Sequence, residues 1–475
     1  MTQFQKPLYK ALIKHIKQKP ISFHVPGHKY GEINLSPLYQ PILQLDATEL
    51  TGLDDLHSPE DAILEAETLL ADLFQVEKSY FLVNGSTVGN LTMIMAACTE
   101  DDTVLVQRNC HKSVLNALKL AKVNPIFLEP EYNREWKVAA GITPETAAKA
   151  ISQYPNAKAI ILTYPNYYGL VTHVQEIIEQ AHRNQIPVLV DEAHGAHFII
   201  GQPFPASAAQ MGADIVVQSA HKTLPAMTMG SYLHFNSKLI EKTKVKENLE
   251  MFQSSSPSYP IMASLDLARH YLAGYEQKDA TFLLKEIDRF KEDLATIPQI
   301  KVLEFPNHHG DCLKITLQSQ CGLSGFQIQK KLEEHAIYTE LADPYNVLLI
   351  LPLLKQGQNY PLEETALKIK TILEDLPYQE WKEDYQPAAG SISGLEIPYK
   401  EMSSLKEQDI QINKAVGHVC AETIIPYPPG IPLLIKGEKI NAEKLTQLKT
   451  LLESGARFQG GTNLNKESIR VFIQH

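Results

Sequence analysis

Between about residues 78 and 235 the chain alternates short apolar runs with stretches of helical periodicity, a pattern that few folds accept. The runs are SYFLV (79–83), TVLVQ (103–107), PIFLE (125–129), AIILT (159–163), PVLVD (187–191), DIVVQS (214–219) and SYLHF (231–235). Several are apolar on both faces, as suits strands covered above and below in a largely parallel sheet. Between them lie helical stretches such as TPETAAKAISQY, where Thr143 reads as an N-cap and Pro144 as the first helical residue. Strand–helix alternation at this spacing predicts a doubly wound α/β domain with a mostly parallel, seven-stranded sheet. Its ligand site falls at the C-terminal ends of the strands.

The texture changes from about residue 280. A polar helix (FLLKEIDRFKEDLATI) leads into KVLEF, CLKITL, FQIQKKLEEHA and VLLILPL, with a further helix near 362–376. Helices on one face of a small antiparallel sheet fit that order. A linker rich in Pro, Gly and Ser is expected around 384–398, followed by the Pro-dense PYPPGIP (426–432) and a helix near 441–454. These boundaries divide the chain into a major domain at 1–280, a small α+β domain at 281–380 and a C-terminal domain at 381–475. At 475 residues the chain is long enough for such cores without disulfides or structural metals.

Charge and cysteine content exclude several classes. The 44 Lys and Arg against 55 Asp and Glu give a net charge of −11, which argues against a nucleic-acid binder. Five scattered cysteines without a CxxC pair encode neither a disulfide framework nor a zinc ribbon. No apolar stretch is long enough for a membrane span, and the charged, amphipathic start lacks a signal peptide's apolar centre. A soluble, cytoplasmic enzyme is the expectation.

Four features carry chemistry. Lys222, in SAHKT, follows the buried-looking run DIVVQS. Lysines are normally solvated surface charges. At a strand end facing the ligand site, a lysine forms a Schiff base with an aldehyde once partly desolvated. Asp191 closes PVLVD, where its ordinary role is to cap the next helix. Its functional reading is a partner for the protonated pyridine nitrogen of pyridoxal phosphate. NGSTVGN (84–90) follows SYFLV and opens an apolar helix, so Gly85 frees the turn while Ser86 and Thr87 present donors to a phosphate. The bland alternative is a Gly-Ser turn that caps a helix. His111, in RNCHKS, is either a satisfied loop residue or a flat ring stacked on an aromatic cofactor.

Two further patterns fail. DEAH (191–194) is spelled like a helicase box, but the chain has no G-x-x-x-x-G-K-[ST] loop. His194 and His197 suggest a metal, yet HExxH and other ligands at a recognisable spacing are absent, so no metal is expected.

With these residues assembled, the chain resembles the fold-type-I, pyridoxal-phosphate-dependent ornithine/lysine/arginine decarboxylases. The resemblance rests on FHVPGHK (23–29), GLDDLHSP (52–59), NGST, RNCHKS, DEAHGAH, SAHKTLPAMTMGS (219–231), SSSPSYPIMASLD (254–266) and AETIIPYPPGIP (421–432). It looks like the short Gram-positive form without an N-terminal wing. The resemblance implies a Lys222 Schiff base, Asp191 on the pyridine nitrogen and His111 over the ring. Ser86, Thr87, Ser219 and His221 would hold the phosphate, with His194 near the phenolic oxygen. A homodimer with sites between subunits follows from the fold type, Ser256 reaching the partner's cofactor. The implied reaction is decarboxylation of a basic amino acid, lysine or arginine before ornithine. Asp54, Asp55 and Glu422 are the candidates to select a cationic side chain, although loop acids are usually solvated or cap turns. Transamination or retro-aldol cleavage on the same scaffold is the rival, and a DEAH-type NTPase a remote one.

Overall fold

A computed structural model describes residues 2–34, 36–379, 391–426, 431–453 and 455–473. The chain divides into two compact units, each built from two segments: Met1–Ala97 with Gln185–Gln277, and Cys98–Asn184 with Lys278–His475.

In the first unit the strands Lys78–Leu82, Ser231–Phe235, Ile215–Gln218 and Val188–Asp191 lie side by side in that order. Ser231–Phe235 runs antiparallel to both neighbours, and Ile215–Gln218 pairs parallel with Val188–Asp191. Three of the four strands therefore point one way. Every residue of Val188–Asp191 and Ile215–Gln218 is buried, which is why both read as unbroken apolar runs. The helix Gly85–Ala97 lies close on this sheet because position 89 carries no side chain. A Cβ there would stand 2.5 Å from Val217 Cγ1 and 2.8 Å from Leu82 Cδ1.

A buried ion pair anchors the N-terminal arm of the same unit. Asp266 Oδ2 accepts the Leu8 and Tyr9 amides at 3.1 and 3.3 Å, at the start of the helix Pro7–Lys17. Its Oδ1 pairs with Arg269 at 2.9 Å, and Arg269 also donates to the carbonyls of Gln3 and Gln5. Each charge of the pair is thus hydrogen-bonded, which makes its complete burial tolerable.

In the second unit Thr103–Gln107 pairs parallel with both Asn124–Leu128 and Ile160–Thr163. Thr143 accepts the Thr146 amide at 3.1 Å, and Pro144 opens the helix Pro144–Gln153, as expected. The expected linker is corrected in part. Residues 384–390 lie outside the described residues, but Ile392–Gly394 forms a strand antiparallel to Asn124–Leu128. The edge of the sheet offers unpaired backbone groups, and ISG supplies partners without any periodicity of its own.

Further along, four strands form an antiparallel sheet in the order Ile300–Val302, Lys314–Ser319, Asn346–Ile350 and Leu341–Ala342. The helices Gly325–Glu333 and Leu362–Leu373 occur where their periodicity placed them. The C-terminal segment packs its own apolar cluster, including Ile412, Ile424, Leu434, Leu448 and Val471, against the helix Ala442–Glu453. Arg108 ties that segment to the strand end nearby, donating to the carbonyls of Pro432 and Leu433 and pairing with Glu438 at 3.0 Å. Of PYPPGIP, residues 427–430 lie outside the described residues. Among the described residues no helix is long and apolar enough to cross a membrane.

Candidate active site

Most of the residues singled out from sequence fall in the first unit, at the strand ends. Asp191 is the last residue of Val188–Asp191, and Lys222 sits in the short turn of helix Ala220–Thr223 that follows Ile215–Gln218. Parallel pairing of these two strands sets Asp191 opposite Val217, so the acid and the lysine leave neighbouring ends of the sheet. Lys222 Nζ lies 3.0 Å from His194 Nε2. An ammonium has no acceptor, so in that contact the lysine donates to the imidazole.

The Gly-Ser turn and the lysine turn meet. Ser219 Oγ donates to Ser86 Oγ at 2.8 Å, joining the turn before Lys222 to the first turn of the helix Gly85–Ala97. Gly85 takes φ +82°, a conformation in which a side chain would be strained. Thr87 is exposed beside Ser86. His221 Nδ1 lies 3.1 Å from the Gly230 carbonyl. Hydroxyls at a helix N-terminus form a natural anion receptor, since the helix dipole and its unpaired amides face outward there.

Asp191 is 3% exposed, and its two oxygens are treated differently. Oδ2 accepts from Asn90 Nδ2 at 2.9 Å, whereas Oδ1 is buried without a hydrogen-bond partner. Asn90 stands at the end of the NGSTVGN motif, but nothing in the spelling of that motif marks it as a partner for an acid 101 residues away.

Glu192, next in the chain, was also missed by sequence reasoning. It is fully buried, and its carboxylate accepts from Ser207 Oγ at 2.7 Å, the Ala208 amide at 2.6 Å and Gln218 Nε2 at 2.5 Å. Burial outweighs these bonds and pushes its pKa up to about 7. Gln218 Oε1 meets His234 Nε2 at 3.0 Å, and His234 Nδ1 meets Ser79 Oγ at 2.8 Å, so a polar chain crosses four adjacent strands or their ends. Burial drives the His234 pKa down to about 3 and keeps its ring neutral.

The remaining candidates make local hydrogen bonds. Asp54 accepts five backbone amides, those of Asp55, Glu60, Asp61, Ile63 and Leu64, at 2.8 to 3.3 Å. Partial burial raises its pKa, but the amides outweigh that and hold it below the usual carboxylate range. Asp54 thereby caps the helix Ala62–Phe74 from outside and has no oxygen left idle. Asp55 Oδ1 accepts the His57 amide at 2.9 Å. Ser256 lies on an exposed turn whose Ser254 carbonyl meets His57 Nε2 at 2.9 Å. In the second unit, His111 caps the helix Lys112–Ala121, its Nδ1 lying 2.8 Å from Ser113 Oγ. Glu422 accepts the Arg470 and Thr462 amides at 2.9 and 3.3 Å, pinning the C-terminal strand Ser468–Phe472.

Solved structures share this architecture. The lysine decarboxylase of Francisella novicida superposes with a TM-score of 0.79 at 22% identity, covering 99% of this chain and 81% of its own. An SPT structure with PLP gives 0.51 at 15% identity over 66% of this chain and 76% of its own. These likenesses show a shared α/β fold. The Orn/Lys/Arg decarboxylase major domain matches residues 6–309 and the C-terminal domain of that family matches residues 396–462. The chain belongs to the Orn/Lys/Arg decarboxylase family. An arginine decarboxylase of Bacillus subtilis (strain 168) is 33% identical over 99% of this chain and 98% of its own length. From the same organism, the uncharacterized protein YaaO is 44% identical over 98% of each chain.

Proposed function

We propose that the chain decarboxylates a basic amino acid, lysine or arginine before ornithine, with pyridoxal 5′-phosphate as its cofactor. The observation that carries this reading is the half-satisfied Asp191, whose buried Oδ1 lacks a donor. A protonated pyridine nitrogen is the donor that such a carboxylate suits. The rest of the set fits the same molecule. The Lys222 amine suits its aldehyde, and Ser86, Thr87, Ser219 and His221 suit its phosphate. Membership of the family and the 33% identical arginine decarboxylase support the reaction and the substrate class.

When bound, the cofactor supplies a conjugated sink for the electron pair left behind as the substrate carboxylate departs as CO2. The protein's own residues do the rest. Lys222 would hold the cofactor's aldehyde through its side-chain amine and give way to the substrate's α-amine. Asp191 would hold a proton on the ring nitrogen and balance its charge, an interaction that burial would strengthen. His194, 3.0 Å from Lys222 Nζ, accepts from that amine and steadies it. His111 is the proposed stacking ring.

A homodimer is the proposed active unit, with Ser256 reaching the partner's cofactor. The N-terminal arm supports it by exposing Ile21, Phe23 and Leu38 at 86, 94 and 90%, apolar surface that a second copy would cover. Asp55 remains a candidate for substrate selection, while the amide bonds of Asp54 and Glu422 argue against them.

Purified protein incubated with lysine, arginine and ornithine in turn tests the proposal. CO2 and the matching amine are expected from lysine or arginine. No CO2 from any of the three overturns the proposal, and an oxo acid in place of the amine means transamination.

A further inference from the structure

The geometry points to Asn90 as a positioning residue that decides which oxygen of Asp191 is left for the cofactor's ring nitrogen. This rests on the cofactor reading above. The two oxygens of a carboxylate are chemically equivalent, and rotation about the last side-chain bond exchanges them. Equivalence ends when one fixed donor holds one oxygen. Asn90 Nδ2 does so, 2.9 Å from Oδ2, with Asn90 1% and Asp191 3% exposed. The amide must present its nitrogen, since its oxygen would set acceptor against acceptor. Oδ1 is then the oxygen without a partner.

The placement of Asn90 is itself controlled. It lies four residues after Ser86 on the helix Gly85–Ala97, so the two share one helical face. Ser86 is bonded to Ser219, and Gly89 lets the helix rest against Val217. One rigid element therefore gauges both ends of the ligand: the phosphate at its first turn, and the ring nitrogen one turn later through Asp191. A purely structural Asn–Asp pair does not account for the idle Oδ1, because a buried acceptor without a donor costs about 1–3 kcal/mol. An arriving N–H does account for it.

The test compares two cofactors on the full chain after cofactor removal. One is pyridoxal 5′-phosphate, and the other is 1-deazapyridoxal 5′-phosphate, in which carbon replaces the ring nitrogen. Dissociation constants come from absorbance titration, independent of turnover. The unsubstituted protein is expected to prefer the nitrogen-bearing ring, and Asp191→Ala to lose that preference. Asn90→Leu, which keeps the volume and removes the donor, is expected to cut the preference about tenfold, as partners that orient metal ligands do, while binding of the deaza ring stays unchanged. Asn90→Ala, which adds no bulk, gives the same reading if the leucine variant does not fold. An unchanged preference in both variants, or equal weakening of both cofactors, overturns the inference. No preference in the unsubstituted protein overturns the inference, and no binding of either ring overturns the cofactor reading itself.

Discussion

Two aspartates of the first unit, Asp54 and Asp191, were both candidate ligand groups from sequence, and their surroundings treat them in opposite ways. Asp54 sits in the loop before the helix Ala62–Phe74 and takes five backbone amides. Asp191 ends a fully buried strand, takes one side-chain donor on Oδ2 and none on Oδ1. Asp54 is the more exposed of the two and still the less available. What a carboxylate can bind is set by its unfilled hydrogen-bonding capacity more than by its access to solvent. Asp266 belongs with Asp54: it is buried, and both its oxygens are occupied by Leu8, Tyr9 and Arg269.

The sharpest way to break the contrast is to remove the open carboxylate. Asp191→Ala is expected to lower decarboxylation by about 10²–10³-fold with the fold retained, as loss of a preorganised electrostatic partner does. Steady-state rates beside a circular-dichroism melt check it, and an active Asp191→Ala protein would end the distinction drawn between the two acids.

Glu192 offers a second comparison, a saturated acid beside the open one. Its folded pKa of about 7 stands above the ordinary 4.5. A raised pKa adds stability that is fully present below about 4.5 and is lost as pH rises through about 7, a change of about 3 kcal/mol. Glu192→Gln carries no titrating proton, so its stability is expected to vary less between pH 5 and 8. Denaturant unfolding at both pH values measures the two slopes; parallel slopes would show that Glu192 does not titrate there.

Asp54→Ala is expected to give the smallest effect, about 2 kcal/mol of stability lost with its capping bonds. KM for the basic amino acid should not change. A large rise in KM with stability intact would return Asp54 to the substrate site and erase its contrast with Asp191.

Much of the fold was legible because its signals are local. All seven expected strands form within a residue or two of their apolar runs, since burial on both faces leaves a contiguous mark. The Thr143 cap was legible for the same reason, its donor being three residues away. The strand Ile392–Gly394 was not. Three residues carry no periodicity, and their pairing with Asn124–Leu128 depends on an edge more than 260 residues earlier in sequence. The candidate site divides likewise. Lys222, Asp191 and Ser86 were readable as chemical types after apolar runs. Asn90, Glu192 and the saturation of Asp54 and Glu422 were not, because hydrogen-bond partners leave no mark in the spelling of a motif.

The amino-acid sequence by itself determined the α/β alternation, the strand ends at which chemistry sits, and the residue types found there. Those follow from burial patterns and short-range backbone preferences. Only the tertiary structure decided which acids keep an open oxygen. That depends on donors brought from distant parts of the chain, such as Asn90 on Asp191 and Arg470 on Glu422, and on Gly89 letting one helix settle close enough for the first of them to reach.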